Sequence, residues 1–248
     1  MKTGNKILLG AIGFCLLLGL LVMIFVRTNL TEFRMEEDTS EHQTQIIATD
    51  DFSKVRIEHT ADVVLMQGDK KLELQGGVNS LDETESIVEN GTLIIRRKTD
   101  EGSVGYRTKI RVYITVDSLT EITHTGEGSL EAGSVLTYPK WGIVSTGVAH
   151  TKLDTDSETF YYHQSGAGSA ELGGKTGYAD FMNSGVGNIN AENLEAGKVI
   201  VNGSGAGNFQ VNAQEELDIN LSGVGNVDYR GNPRIRQNIS GVGNVNAI

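Results

Sequence analysis

The chain has 248 residues, with 32 acidic and 21 basic side chains and a net charge of −11. This acidic balance provides no electrostatic attraction to a nucleic acid, so we expect no nucleic-acid partner. Aromatic residues make up 6% of the chain, which argues against a ligand site caged by aromatic rings. The single cysteine, Cys15, excludes an intrachain disulfide.

The amino-terminal segment has the composition of a membrane anchor. Residues 7–26 carry no charge and match the roughly 20 residues that a helix needs to cross a bilayer. Lys2 and Lys6 precede them, so the positive-inside rule keeps residues 1–6 in the cytoplasm. The apolar run is longer than that of a usual signal peptide, and no Ala-x-Ala cleavage site follows it. We therefore predict an uncleaved, single-pass signal anchor in the cytoplasmic (inner) membrane, with cleavage as the alternative.

The segment that follows is polar and shows no hydrophobic period. Residues 27–45 include five carboxylates, which is typical of a tether that holds the next domain away from the membrane. We predict that this acidic linker joins the anchor to an extracytoplasmic domain formed by residues 46–248.

Glycines recur with a regular period in the carboxyl-terminal half of the chain. The first glycines of successive corner sites are 18–21 residues apart, and they are Gly126, Gly147, Gly166, Gly185, Gly205, Gly223 and Gly241. The residues on both sides of each site mostly alternate between apolar and polar, which is the period of a β-strand. One such unit cannot bury its own apolar face, whereas stacked units can. These patterns predict an all-β fold, a β-solenoid of about seven coils.

Four of the corner sites share the pattern Ser-Gly-x-Gly-Asn. We expect the glycines to form the corner of each coil, and the Val or Ala between them to fill the end of the core. Neighbouring coils lie ~4.8 Å apart, so the four asparagines should stack as a ladder of hydrogen-bonded amides. The predicted corner and ladder residues are Gly185, Gly187, Asn188, Gly205, Gly207, Asn208, Gly223, Gly225, Asn226, Gly241, Gly243 and Asn244.

The repeats and the histidines differ from known catalytic and ligand-binding motifs. A phosphate-binding loop needs one glycine-rich loop before a helix, whereas this loop recurs and no helical pattern follows it. A calcium-binding nonapeptide repeat needs Asp in each unit, where these units carry Asn or Ser. The five histidines lack the spacing of zinc ligands or of a nucleophile with its base. We predict no catalytic residue, no metal site and no cofactor.

A basic cluster stands out in this acidic chain, and it consists of Arg96, Arg97, Lys98, Arg107, Lys109 and Arg111. Cross-strand pairing with nearby acids is one interpretation of the cluster. Contact with an anionic envelope polymer or a phospholipid headgroup is the other. The repeated polar columns could add to such a contact, so the candidate ligand-binding residues are Lys109, Arg111, Asn202, Asn220 and Asn238.

Four stretches of the chain resemble a known family: residues 57–68 (IEHTADVVLMQG), 90–95 (NGTLII), 110–119 (IRVYITVDSL) and the later units such as GVGNIN at 185–190. They look like the putative auto-transporter adhesin, head GIN domain family, over about residues 46–248. The resemblance implies a β-helix similar in shape to pectin lyases without their catalytic residues, and a role in envelope adhesion. Many members look secreted or lipid-anchored, and this chain departs from them in carrying a spanning segment.

The expected function is that of a non-catalytic, envelope-anchored adhesion, binding or structural module. Its expected partners are the membrane, through residues 7–26, and an envelope polysaccharide or protein, and a homo-oligomer is left open. The alternative is a carbohydrate-active, pectate-lyase-like enzyme built on a β-helix.

Overall fold

The computed structural model describes residues 39–98 and 109–248. Within these ranges it has seventeen β-strands and one short α-helix. In chain order the elements are β1 (His42–Ile47), β2 (Lys54–Glu58), β3 (Ala61–Gln67), β4 (Lys71–Gly77), α1 (Val78–Asp82), β5 (Thr84–Glu89), β6 (Thr92–Arg97), β7 (Ile110–Val116), β8 (Glu121–His124), β9 (Glu127–Ala132), β10 (Lys140–Ser145), β11 (Val148–Gln164), β12 (Ala167–Asn183), β13 (Ile189–Gly203), β14 (Phe209–Leu221), β15 (Val227–Arg230), β16 (Arg234–Ile239) and β17 (Val245–Ala247).

The strands form two parallel stacks, named stack A and stack B. In spatial order, stack A contains β6, β2, β8, β10, the carboxyl-terminal halves of β11 to β14, and β16. Stack B contains β7, β3, β9, the amino-terminal halves of β11 to β14, β15 and β17. The chain passes from stack A to stack B at each glycine corner and returns through a second turn. This arrangement confirms the predicted all-β solenoid of about seven coils.

The amino-terminal layers do not follow the order of the sequence. Strand β2 pairs with both β6 and β8, and β3 pairs with both β7 and β9, so the β2–β3 layer lies between two layers that come later in the chain. Strand β4 pairs antiparallel with β7 and β1, and β5 pairs antiparallel with β6. These antiparallel strands lie beside the first parallel layers and extend the solenoid at that end.

Two features of this end differ from the sequence-based expectations. Helix α1 is a single turn in which Ser80 and Leu81 are buried, although no helix was predicted after residue 46. This helix has five residues, which are too few to produce a hydrophobic period in the sequence. Strand β1 begins at His42, inside the segment predicted as linker, because its backbone pairs with β4.

The core lies between the two stacks and is formed by alternate residues of each strand. Trp141, Phe160, Phe181 and Phe209 are among the largest side chains that are fully buried. The indole of Trp141 contacts the Phe160 ring edge-on, at 5.0 Å between centroids. Since alternate residues point inward, the other half of each strand faces outward and is available for function.

The predicted anchor of residues 7–26 and the cytoplasmic segment 1–6 lie outside the described residues. So does the linker up to residue 38. Within 39–98 and 109–248, no helix is long and apolar enough to cross a bilayer.

Candidate binding surface

The glycine corners are fixed by close contact between neighbouring coils. A Cβ atom on the first glycine of a site would overlap the backbone oxygen of the equivalent glycine one coil earlier, as between Gly185 and Gly166 or between Gly223 and Gly205. The second glycines are equally close to the preceding coil, and Gly187 also has a φ of 147°. That backbone region is readily adopted only by glycine. The same overlaps occur at Gly205, Gly207, Gly225, Gly241 and Gly243.

The four ladder asparagines are stacked and hydrogen-bonded. The backbone N–H of Asn208 donates to Asn188 Oδ1 at 2.8 Å, and the Asn208 side-chain amide donates to the same oxygen at 3.3 Å. Asn226 repeats both bonds to Asn208, and the backbone N–H of Asn244 donates to Asn226 Oδ1 at 3.0 Å. The amide oxygens of Asn188, Asn208 and Asn226 therefore each hold the backbone of the next coil, and the first two also hold its side chain.

The ladder column continues into the earlier coils with other residue types. His150 Nδ1 and Ser169 Oγ are 2.8 Å apart, and the Ser129 hydroxyl donates to Asp62 Oδ1 at 2.5 Å. Lys109 Nζ lies 2.7 Å from the same Asp62 oxygen. Burial opposes ionisation of Asp62, but the hydrogen bonds from Lys109 and Ser129 outweigh it and lower the pKa of this carboxyl group.

The residues between the corner glycines point outward, and the expectation that they fill the end of the core is wrong. Val186, Val224 and Val242 are 63%, 60% and 71% exposed. The alternation of the flanking strands continues through the corner, so the residues before and after the second glycine both face solvent. We name this column the corner ridge, and it consists of Val148, Ala167, Val186, Ala206, Val224 and Val242.

Polar side chains occupy the inside of the corner where the valines were expected. Gln164 Nε2 donates to the backbone oxygens of Gly168 and Val186, at 3.3 and 3.2 Å. Asn183 Nδ2 donates to the Gly187 oxygen at 2.8 Å, and Asn183 Oδ1 accepts from the Gly185 N–H at 3.0 Å. These buried amides satisfy the backbone polar groups that a tight corner leaves without a strand partner.

The corner ridge is flanked on both sides by uncharged columns. Ser or Thr precedes each corner, and the ladder residues follow it. From the Gly147 coil to the Gly241 coil, these three columns contain no carboxylate, lysine or arginine. We name this surface the corner strip. An exposed apolar ridge in an uncharged strip is typical of an interaction surface, because isolated soluble domains rarely expose contiguous apolar side chains.

The predicted ligand-binding residues do not form one common surface in the structure. Arg111 lies on β7 in stack B, whereas Asn202, Asn220 and Asn238 form an outward column on stack A. Lys109 is held by Asp62, and Arg111 has no ion pair within the described ranges. Much of the rest of the basic cluster pairs with acids across strands, since Arg96 contacts Glu85 and Arg97 contacts Glu83.

A shallow groove of about 560 Å³ lies beside the second turn of the middle coils. Glu131, Asp154 and Glu171 line it together with Lys152, whose Nζ is 3.2 Å from Glu171 Oε2. Lys152 pairs in register with Glu131 on one side and Glu171 on the other, so a cation separates the two glutamates. Among the described residues, no group of three or more His, Cys, Asp or Glu side chains has the geometry of a metal site.

Sequence reasoning identified the corner and the ladder but missed the exposed ridge. The signal was present, because the ladder residue and the ridge residue are separated only by the second glycine. The strand period of two, continued through the corner, places both on the outer face. The expectation that the ridge lies inside did not apply this period between the two glycines.

Comparisons with known proteins agree with this architecture. A solved structure described as a putative adhesin from Bacteroides fragilis NCTC 9343 superposes with a TM-score of 0.81, at 25% identity, covering 86% of this chain and 99% of that one. A protein described as a putative lipid binding protein from Parabacteroides distasonis ATCC 8503 gives 0.69 at 23% identity, covering 87% and 100%. A further P. distasonis structure, described as a putative adhesin, gives 0.65 at 19% identity, covering 86% and 100%.

The two structures from P. distasonis establish the fold alone. No curated protein matches the chain. The family model "Putative auto-transporter adhesin, head GIN domain" matches residues 51–233. This match covers most of the chain and confirms the resemblance drawn from the repeats, so the chain belongs to the head GIN domain family.

Proposed function

We propose that this protein is a non-catalytic adhesion module of the cell envelope, and that it binds its partner along the corner strip. The observation that carries the proposal is the exposed corner ridge, with three valines at least 60% exposed. Six coils at ~4.8 Å per step give the ridge a length of roughly 24 Å, which suits an extended partner better than a small molecule. The naming of the Bacteroides fragilis relative as a putative adhesin supports this function.

The location is part of the same proposal. We infer that residues 7–26 hold the chain in the cytoplasmic membrane and that the solenoid lies outside the cytoplasm. The acidic linker would then set the distance between the membrane and the strip.

A binding experiment tests the role of the strip. Residues 39–98 and 109–248 form one compact unit, so a fragment starting at residue 39 carries every described element. We expect this fragment to sediment with isolated bacterial envelopes, and the double variant Val186→Asp with Val224→Asp to sediment much less, because two carboxylates would interrupt the apolar ridge. The double variant Ile46→Asp with Ile248→Asp is the matched control, since these side chains are 68% and 58% exposed and lie outside the corner strip.

The outcome shows whether the corner strip or another surface binds the envelope. Equal sedimentation of the wild type and the ridge variant, Val186→Asp with Val224→Asp, would rule out the strip as the binding surface. Equal loss in the ridge variant and in the control Ile46→Asp with Ile248→Asp would point to a general effect of added charge, and it too would count against the strip.

Catalysis is tested separately. We expect no product when the fragment is incubated with polygalacturonate, alginate or peptidoglycan, with or without calcium. Product that accumulates in proportion to protein, and that disappears in the double variant Lys152→Ala with Glu171→Ala, would favour the lyase alternative at the groove.

A further inference from the structure

A second candidate surface lies on the outer face of stack A, and the corner strip does not include it. Its side chains occupy neighbouring positions on four successive layers, which are β10 and the carboxyl-terminal halves of β11, β12 and β13. Thr159 pairs with Tyr178, Tyr161 with Asp180, and His163 with Val144 and Met182. We name this group the stack A patch, and its members are Val144, Tyr161, His163, Tyr178, Met182 and Ile200.

The Tyr161 ring lies flat on the sheet because the layer beneath it has a glycine. Gly142 is the register partner of Tyr161, and a Cβ atom built there would point at the ring, equally close to Cγ, Cδ1 and Cδ2. One face of the ring therefore covers Gly142, and the other face is directed away from the sheet. An outward-facing aromatic ring on a flat sheet is a platform for stacking.

Both ends of this platform are held in place. The Tyr161 hydroxyl donates to Glu121 Oε2 at 2.8 Å, and the His163 ring lies 5.1 Å from the Tyr161 ring at a tilt of 44°. His163 Nε2 is in turn 3.3 Å from Asp180 Oδ2. Burial and the hydrogen bond to Glu121 raise the pKa of the Tyr161 hydroxyl, so it remains a neutral donor. A ring fixed before binding loses little conformational entropy when a ligand arrives.

The charges around the patch indicate the class of ligand. Towards the carboxyl-terminal coils, Lys198 contacts Glu216 and Asp218, and Arg236 contacts the same two acids. These ion pairs neutralise Lys198 and Arg236. Next to the rings themselves lie the carboxylates of Glu121 and Asp180, which would repel an acidic polymer.

The outward column that contains His163 and Met182 continues as polar amides. Asn202 pairs with Met182 in register, and Asn220 and Asn238 follow on the next two layers. The Asn220 amide donates to Asn202 Oδ1 at 3.2 Å, so hydrogen-bonding groups follow the rings at ~4.8 Å steps along the solenoid. Rings followed by amides match an uncharged saccharide chain, whose sugar rings present apolar C–H faces and hydroxyl edges.

We propose that stack A binds an uncharged polysaccharide chain. One sugar ring stacks on Tyr161, the adjacent units contact His163 and Tyr178, and the chain continues along Asn202, Asn220 and Asn238. This inference rests on the proposed adhesion function and names a ligand class for it, at a surface separate from the corner strip.

The test uses the full chain in detergent and two defined ligands. Calorimetric titration with an N-acetylglucosamine hexamer should show binding, and a galacturonate hexamer of the same length should bind at least about tenfold more weakly. Tyr161→Leu should weaken binding of the neutral hexamer about tenfold, since leucine covers Gly142 but offers no ring. Tyr178→Ala should also weaken it. Tyr113→Ala is the control, because Tyr113 lies on β7 in stack B.

Each variant is checked for folding by the fluorescence of Trp141, the single tryptophan of the chain, which is fully buried. Unchanged affinity in Tyr161→Leu, or tighter binding of the acidic hexamer, would overturn the inference. If envelopes bind through the corner strip but neither hexamer binds, only this inference fails, and a protein partner becomes the better hypothesis. If the protein binds neither envelopes nor hexamers, both this inference and the proposed function fail.

Discussion

A single oxygen, Asn208 Oδ1, accepts hydrogen bonds from both the backbone nitrogen and the side-chain nitrogen of Asn226, at 2.9 and 3.3 Å. Asn226 Oδ1 then accepts from the backbone of Asn244. The asparagine ladder is thus a set of bonds that hold each coil to the next at the corner, and its contribution to stability can be measured.

Asn226→Ala should destabilise the protein by about 1 kcal/mol. The change removes the two side-chain bonds of Asn226, and partial exposure lets water replace some of the lost partners. Asn226→Ser should cost less, because serine occupies the same column at Ser129 and Ser169. Denaturant unfolding gives the free energies of unfolding, and an alanine variant as stable as the wild type would contradict a structural role for the ladder.

Gly225→Val should cost at least about 1–3 kcal/mol. A Cβ atom at Gly225 would overlap the carbonyl oxygen of Gly207, and the backbone of a stacked coil cannot move away without loosening its own pairing. Val224→Ala is the control next to it, since Val224 is exposed, and it should change stability by no more than about 0.5 kcal/mol. Equal melting temperatures for the two variants would refute the close approach at this corner.

Mild acid should destabilise the fold through His124. This side chain is 1% exposed. Burial lowers the pKa of His124 below its ordinary value. The unfolded chain therefore takes up a proton at a higher pH than the folded one, so stability is complete above the unfolded pKa of ~6.5 and falls as the pH drops below it.

The pH effect can be assigned by substitution. His124→Leu should reduce the loss of stability between about pH 6.5 and 5, because leucine has no group that takes up a proton. Leucine should be tolerated at this position, since Ile57 already occupies the same inward column one layer away. Some acid sensitivity should persist, since burial also lowers the pKa of His59. The exposed His42→Leu is the control, and an unchanged pH profile in His124→Leu would show that this group is not responsible.

The anchor prediction concerns the full chain. Residues 7–26 should keep the protein in the membrane fraction through washing with alkaline carbonate, because a spanning apolar helix is not removed by breaking ionic contacts. A fragment that starts at residue 39 should stay in solution. Mass spectrometry of the membrane-derived protein provides the second check, and a mature chain beginning near residue 28 would establish cleavage instead.

The sequence was most informative where one residue pattern repeats. The glycine period predicted the coils and the corners, because no other residue fits where a Cβ would meet the preceding coil. It also predicted the asparagine stacking, since equal spacing places equal residues above one another. The prediction for the ridge treated the two glycines as a break in the strand pattern, whereas the alternation of more and less exposed residues continues through Gly187 and Gly207.

The stack A patch depends on pairs that are distant in the sequence. Tyr161 and Gly142 are one coil apart, and Tyr161 and Glu121 are two coils apart. Aligning the repeats five residues before each corner glycine would have placed all three in one column. That alignment shows the column but not that the ring lies flat on the glycine, which depends on side-chain packing.

The position of β2 between β6 and β8 has a consequence for how the chain folds. Both neighbours of β2 come later in the sequence, so this layer is paired on both sides only after residues up to His124 have left the ribosome. Closing these long loops early is entropically costly, which makes this end slow to form. From Gly126 onward each coil adds to the one before it, as expected for a linear repeat. The amino-terminal layers should therefore act as the nucleus that later coils extend during synthesis, and their long-range pairing should limit the folding rate of the whole solenoid.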